Sequence, residues 1–257
     1  MAKWVEGRSA IVTGALGLLG RTSAEALASE GARVACADSD SKVTEFAAEL
    51  GKKHGVQTLG AVADPLNKEQ VEGLVKRVVE GWGRVDILVC GYEYHRLDPI
   101  LEMKNEAWHE VVNANLKSVF YACRAVIPHM TKQKYGRIVN FSAIEARIGS
   151  AFAGNPAGLG EAHFAAAKSA IIGFNHALSR EVASLGVTVN AIIPGYMKDR
   201  APAIPPDELK KRLPLIAAQR WCEPSDLAGA IILLASEKGG YINGDILTVG
   251  GGAYMTP

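Results

Sequence analysis

The chain has 257 residues, 48% of them hydrophobic, and a formal net charge of +1. That is enough apolar material for one large core, and the charge balance lacks the basic surplus that binds nucleic acid or an anionic membrane surface. The four cysteines, Cys36, Cys90, Cys123 and Cys222, show neither paired nor metal-ligand spacing, so reduced core thiols and no metal are expected. There is no charged-then-apolar leader and no apolar run long enough to span a bilayer, so a cytoplasmic protein is expected.

Ser9-Ala10-Ile11-Val12 reads as a strand, and Thr13-Gly14-Ala15-Leu16-Gly17-Leu18-Leu19-Gly20 follows it and opens a helical pattern running to about Glu30. In that context Gly14 permits a tight strand-to-helix turn, Gly17 lets backbone approach a pyrophosphate, and Gly20 allows close packing of the helix. The N–H groups at the helix start, with Leu16, Leu18 and Leu19 in the same cradle, attract phosphates. A second strand, Arg33 to Ala37, ends in Asp38, about 20 residues after the glycines, where a carboxylate accepts both hydroxyls of an adenosine ribose and repels a 2′-phosphate. No Lys or Arg lies between Gly14 and Gly20, so the predicted cofactor is NAD in preference to NADP.

The alternation continues. Ser41 to Lys53 is helical, Val56 to Val62 a third strand, Asn67 to Glu80 a helix, and Val85 to Val89 a continuous apolar strand of the kind buried on both faces in a parallel sheet. Asn105 to Lys132 places Trp108, Val112, Leu116, Val119, Cys123, Ile127 and Met130 at three- and four-residue steps, one long helix that Pro128 bends near its end. Arg137 to Phe141 is a fifth strand, Ala162 to Ser184 a helix, Val187 to Ile193 a sixth strand, Pro224 to Ala235 a helix and Asp245 to Val249 a last strand. This order predicts a single-domain α/β fold over residues 1–257, a Rossmann-type doubly wound parallel sheet of about seven strands with helices on both faces. Irregular stretches at 142–162 and 196–220 follow strand ends, where ligands bind in such sheets, and are expected to serve as substrate loops or lids. Tyr92, Tyr94, His95 and Arg96 after the fourth strand, and Tyr196 after the sixth, are candidate substrate-facing residues.

Over nearly every element the chain resembles the short-chain dehydrogenase/reductase family in its compact branch. The matching residues are the glycine loop with Asp38, Asp64 in Ala63-Asp64-Pro65, Trp108 with Asn113-Ala114-Asn115-Leu116-Lys117, Gly136 to Ser142, Lys168 with Ser169-Ala170, and Val189 to Gly195. Arg220, Pro224, Asp226, Gly244, Val249, Gly251 and Gly252 match the carboxyl-terminal signature. The resemblance implies hydride transfer between a nicotinamide and a carbonyl or carbinol carbon. It implies that Ala63 and Asp64 meet the adenine, and that Cys90, Gly91, Pro194, Gly195 and Met197 border the cofactor. It also implies that the helices Asn105 to Lys132 and Ala162 to Ser184 join subunits into a homodimer or homotetramer.

In that family a tyrosine moves the hydroxyl proton, a serine holds the substrate oxygen, a lysine four residues after the tyrosine binds the nicotinamide ribose, and an asparagine anchors a water. Here Asn115 and Lys168 are kept, but Phe164 stands four residues before Lys168 and Ala143 where the serine falls. A phenyl ring cannot pass a proton. His163 and Ser142, each one step away, and Ser150 in the loop are candidate substitutes. The family's Asn-Asn-Ala-Gly is replaced by Cys90-Gly91-Tyr92-Glu93, Leu18 stands where the compact branch has its middle glycine, and Met197, Lys198 or Asp199 stands where a threonine caps the turn after Pro194-Gly195. Three readings stay open. One is an NAD(H)-dependent oxidoreductase with a substituted proton relay, acting on a small carbonyl, alcohol or imine-like substrate. The others are an NAD-binding regulatory protein, and a lyase or isomerase using His163, Tyr94 or His95 as acid–base groups.

Overall fold

The computed structural model describes residues 3–149, 160–197 and 213–255. Seven strands form one parallel sheet in the order β3-β2-β1-β4-β5-β6-β7: β1 Ser9–Thr13, β2 Arg33–Asp38, β3 Thr58–Val62, β4 Ile87–Cys90, β5 Gly136–Phe141, β6 Val187–Pro194 and β7 Ile246–Val249. The strand order turns back between β1 and β4, which opens a crevice at their carboxyl ends. Each strand splits its side chains between two cores because successive residues point to opposite faces. Ala10, Val12, Val34, Cys36, Ile87 and Val89 meet α1 (Leu18–Ser29), α2 (Val43–His54) and α8 (Pro224–Ala235) on one face. Ile11, Ala35, Leu88, Cys90 and Ile138 meet α3 (Lys68–Trp82), α5 (Ser118–Lys132) and α7 (Ala162–Val182) on the other. The doubly wound fold expected from the alternation is the one observed.

Boundaries moved where local chemistry is specific. Asn67, expected inside a helix, is its cap, its side chain accepting from the Gln70 N–H at 3.0 Å. The stretch read as one helix from Asn105 is two, α4 (Asn105–Val112) and α5, joined by a π-helical turn at Asn113–Lys117. Periodicity cannot reveal one extra residue in a turn, and such π turns are frequent at functional sites. A short helix α6, Glu145–Ile148, lies in the stretch expected to be irregular. Burial holds the Cys36 thiol at about 12, an inert core group. Among the described residues no helix is long and apolar enough to cross a membrane.

Candidate functional site

The glycines come together at the open end of β1. Gly14 turns with φ +61°, and a Cβ there would lie 2.4 Å from the Tyr92 Cα. A Cβ on Gly91 would lie 2.6 Å from the Gly20 Cα. Gly91, expected only to border a cofactor, is thus also needed for the close approach of β4 to α1. Helix α1 begins at Gly17 with no side-chain cap and no acidic residue in its first turn, so the N–H groups of Leu18, Leu19 and Gly20 lack intrahelical acceptors. Leu18 and Leu19 border a cleft of about 220 Å³ lined also by Gly14, Gly17, Gly91, Tyr92 and Glu93. An uncapped helix start facing a cleft fits a pyrophosphate.

Asp38 ends β2 beside this loop, its carboxylate accepting from the Leu16 N–H at 3.1 Å. Ala63 donates its N–H to the Asp38 carbonyl at 2.8 Å, and the Asp64 side chain accepts from the Leu66 N–H at 2.8 Å. These residues gather at the carboxyl end of β2, beside the glycine loop. Tyr92 belongs here too: burial first, then nearby Asp64 and Asp38, raise its phenol. It lines the same cleft as Gly14 and Gly17. Cys90 packs its side chain into the α5 face with Cys123, leaving only its backbone toward the crevice.

Beyond Tyr92 the chain runs between two helices, and the side chains of 93–96 alternate between them. Toward the π turn, the Asn115 side chain donates to the Tyr94 carbonyl at 2.7 Å and to the Val111 carbonyl at 2.9 Å, and accepts from the Tyr94 N–H at 3.3 Å. Asn115 therefore clamps the segment, using both of its amide protons on backbone. Burial and a hydrogen bond to Glu110 raise the Tyr94 phenol, and Arg96 reaches Glu110 at 2.9 Å. Toward α7, Glu93 pairs with Lys168 at 2.9 Å, His95 with Glu161 at 3.0 Å, and Asp98 with His163 at 3.3 Å. The Asp98 N–H closes the seam on the Gly160 carbonyl at 2.9 Å.

Phe164 and Lys168 share one face of α7, as four-residue spacing requires. Phe164 is 2% exposed and packs with Val111, Ala143 and Tyr94. The His95 ring stands edge-on to it, centroids 4.5 Å apart at 89°. His95 is thus a polar group in contact with the Phe164 ring. The Lys168 ammonium lies 5.5 Å from the same ring centroid and 3.2 Å from the Phe141 carbonyl.

The two substitutes one step away are placed differently. His163 is fully buried. Its Nδ1 accepts from the Phe164 N–H at 2.9 Å, so the ring proton sits on Nε2 and points at Asp98. Burial, the largest cause, holds this imidazole below its ordinary value against the opposing pull of Asp98. Both nitrogens are engaged away from the Phe164 ring. Ser142 donates to the Lys168 carbonyl at 2.9 Å, pinning the end of β5 to α7.

On the far side, Gly195 donates its N–H to the Val249 carbonyl at 2.8 Å, continuing β6 beyond Pro194. Tyr196 is buried among Ile144, Ile172, Ile193 and Ile216 and borders a second cleft of about 180 Å³ with Arg220 and Trp221. The Met197 side chain packs in the core with Leu227 and Ile231. Ser150, Lys198 and Asp199, with most of the two expected loops, lie outside the described residues.

Glu93, Asp98 and Glu161 were not singled out as site residues from the sequence. The available signal was alternation: in an extended segment Glu93 and His95 face one way and Tyr94 and Arg96 the other.

The sequence pattern of the family described as Enoyl-(Acyl carrier protein) reductase matches residues 14–254. The 3-oxoacyl-(acyl-carrier-protein) reductase FabG of Vibrio cholerae is 36% identical over 253 residues, covering 98% of this chain and 99% of the relative. The enzyme of the same description from Escherichia coli is 36% identical over 252 residues, covering 97% and 98%. Among solved structures, a putative short-chain alcohol dehydrogenase from Sinorhizobium meliloti superposes with a TM-score of 0.87 at 29% identity, covering 98% of each chain.

Proposed function

The chain belongs to the short-chain dehydrogenase/reductase family of oxidoreductases, and from that premise we propose that it is an NAD(H)-dependent oxidoreductase in which His95, oriented by Glu161, replaces the missing tyrosine as proton donor. The supporting observation is the His95 ring, edge-on to Phe164 and hydrogen-bonded to a carboxylate. Glu161 engages Nε2 and leaves Nδ1 for proton transfer, the division of labour by which a carboxylate orients a general acid–base histidine. Bound NAD(H) supplies the hydride. Asp38 would hold the adenosine ribose, the open N–H groups of α1 the pyrophosphate, and Lys168 the nicotinamide ribose.

The substrate class is a small carbonyl or alcohol, or an imine that already carries its proton; 3-oxoacyl thioesters, named for the relatives, are one carbonyl class to test. Turnover is expected to change the absorbance of the reduced nicotinamide. Turnover of the same compounds with no such change would support a lyase or isomerase built on the same His95–Glu161 pair.

The cofactor preference has its own test. A carboxylate at Asp38 repels a 2′-phosphate, so NAD is expected to bind at least about tenfold more tightly than NADP, a difference of about 1.4 kcal/mol. Equal affinities by calorimetry would overturn this role for Asp38. The long helices α4–α5 and α7 are proposed to form two-fold subunit contacts. Sedimentation at micromolar concentration is expected to show a homotetramer or homodimer, and a monomer would reject the proposal.

A further inference from the structure

Lys168 and Glu93 form an ion pair 2.9 Å long, with the lysine side chain 1% exposed and the glutamate 13%. Glu93 also borders the cleft at the start of α1, so one carboxylate lies between the proposed pyrophosphate cradle and the proposed ribose-binding ammonium. Its neighbours are fixed: the Tyr94 backbone is clamped by Asn115, and the Lys168 ammonium is also held by the Phe141 carbonyl. A carboxylate so placed opposes an incoming dinucleotide twice. It occupies the ammonium, and its charge faces the phosphates.

We propose that Glu93 is a latch that competes with NAD(H) for Lys168, so that cofactor binding requires the Glu93–Lys168 pair to open and Glu93 sets the cofactor affinity. This rests on the NAD(H) reading above. Opening a nearly buried pair is costly, because both charges must find new partners. That cost is subtracted from the binding free energy, as for any protein whose binding-competent state is only fractionally populated. The latch therefore predicts weak intrinsic affinity that improves when the carboxylate is neutralised.

Glu93→Gln keeps the shape and removes the charge. NADH titrated calorimetrically into the wild-type protein and the variant, without substrate, is expected to show a Kd at least about tenfold lower for Glu93→Gln, with the thermal midpoint checking that the variant is folded. Glu93→Gly, which removes the side chain altogether, is expected to show the same gain. If both variants bind NADH as the wild type does, or more weakly, Glu93 is no latch but a passive partner or a direct cofactor ligand, and the NAD(H) reading stands. If neither the wild type nor either variant binds NAD(H) at millimolar concentration, the cofactor reading falls and takes the latch with it.

Discussion

Alanine at His95 is expected to lower nicotinamide-linked turnover by about 10² to 10⁴, the range typical of losing a positioned general acid–base group. NADH affinity should stay within about twofold, because His95 pairs with Glu161 and touches Phe164 and none of the proposed cofactor contacts. A fall in kcat without a change in cofactor Kd separates proton transfer from binding. The companion change at His163 should behave differently: its ring bonds the Phe164 N–H and Asp98, so His163→Ala is expected to cost stability more than turnover. The His95 ring also takes up the space at the edge of Phe164. On the His95→Ala background, Phe164→Tyr with Ala143→Ser should therefore raise oxidation of secondary alcohols at least about tenfold over the single variant, as a relay resembling the family's is rebuilt above Lys168. If His95→Ala retains wild-type turnover, the dyad is not the proton source, and Tyr94, bonded to Glu110, becomes the group to examine.

Gly20→Ala is expected to give the largest loss of stability of any single methyl added to the glycine loop and α1. A Cβ at this position would sit 2.0 Å from the Gly14 carbonyl oxygen and 2.9 Å from the Ala15 Cα. Those atoms are backbone of the loop itself and cannot rotate aside. Overpacking against movable side chains costs about 1–3 kcal/mol, and a clash with backbone belongs at or above the top of that range. A loss of about 3 kcal/mol lowers the thermal midpoint by about 6–12 °C in a chain of this size. Cofactor binding should be lost as well, since relief of the clash moves Gly14 and the start of α1 apart. Gly73→Ala is the matched control. It lies inside α3, where an added Cβ meets nothing within 4 Å, so it should be neutral or raise stability by up to about 1 kcal/mol. Equal midpoints for the two variants would refute the packing role of Gly20.

The sheet and its order of elements were legible along the chain because their causes are local. Apolar runs of strand length, helical spacing and glycines placed between them specify the doubly wound fold. Gly14, Gly17, Gly20 and Asp38 carry their chemistry in residue type and spacing. The loss of the tyrosine was equally plain, as Phe164 stands four residues before Lys168.

What lies beside that phenyl ring was decided by tertiary structure. His95 and Glu161 are 66 residues apart in sequence, and no periodicity links a segment after β4 to the start of α7. The π turn at Asn113–Lys117 directs Asn115 onto the Tyr94 backbone, and the side chains of 93–96 turn alternately toward opposite helices before Asp98 returns to His163. His163, adjacent to Phe164 in sequence, is turned away because its Nδ1 caps the Phe164 N–H. Residue type and spacing determine what a helix or strand must bury, whereas the pairing of charges between elements depends on the packing of whole elements. For that reason Glu93, spelled out in the sequence as a departure from the family pattern, acquired its partner Lys168 only in the folded chain.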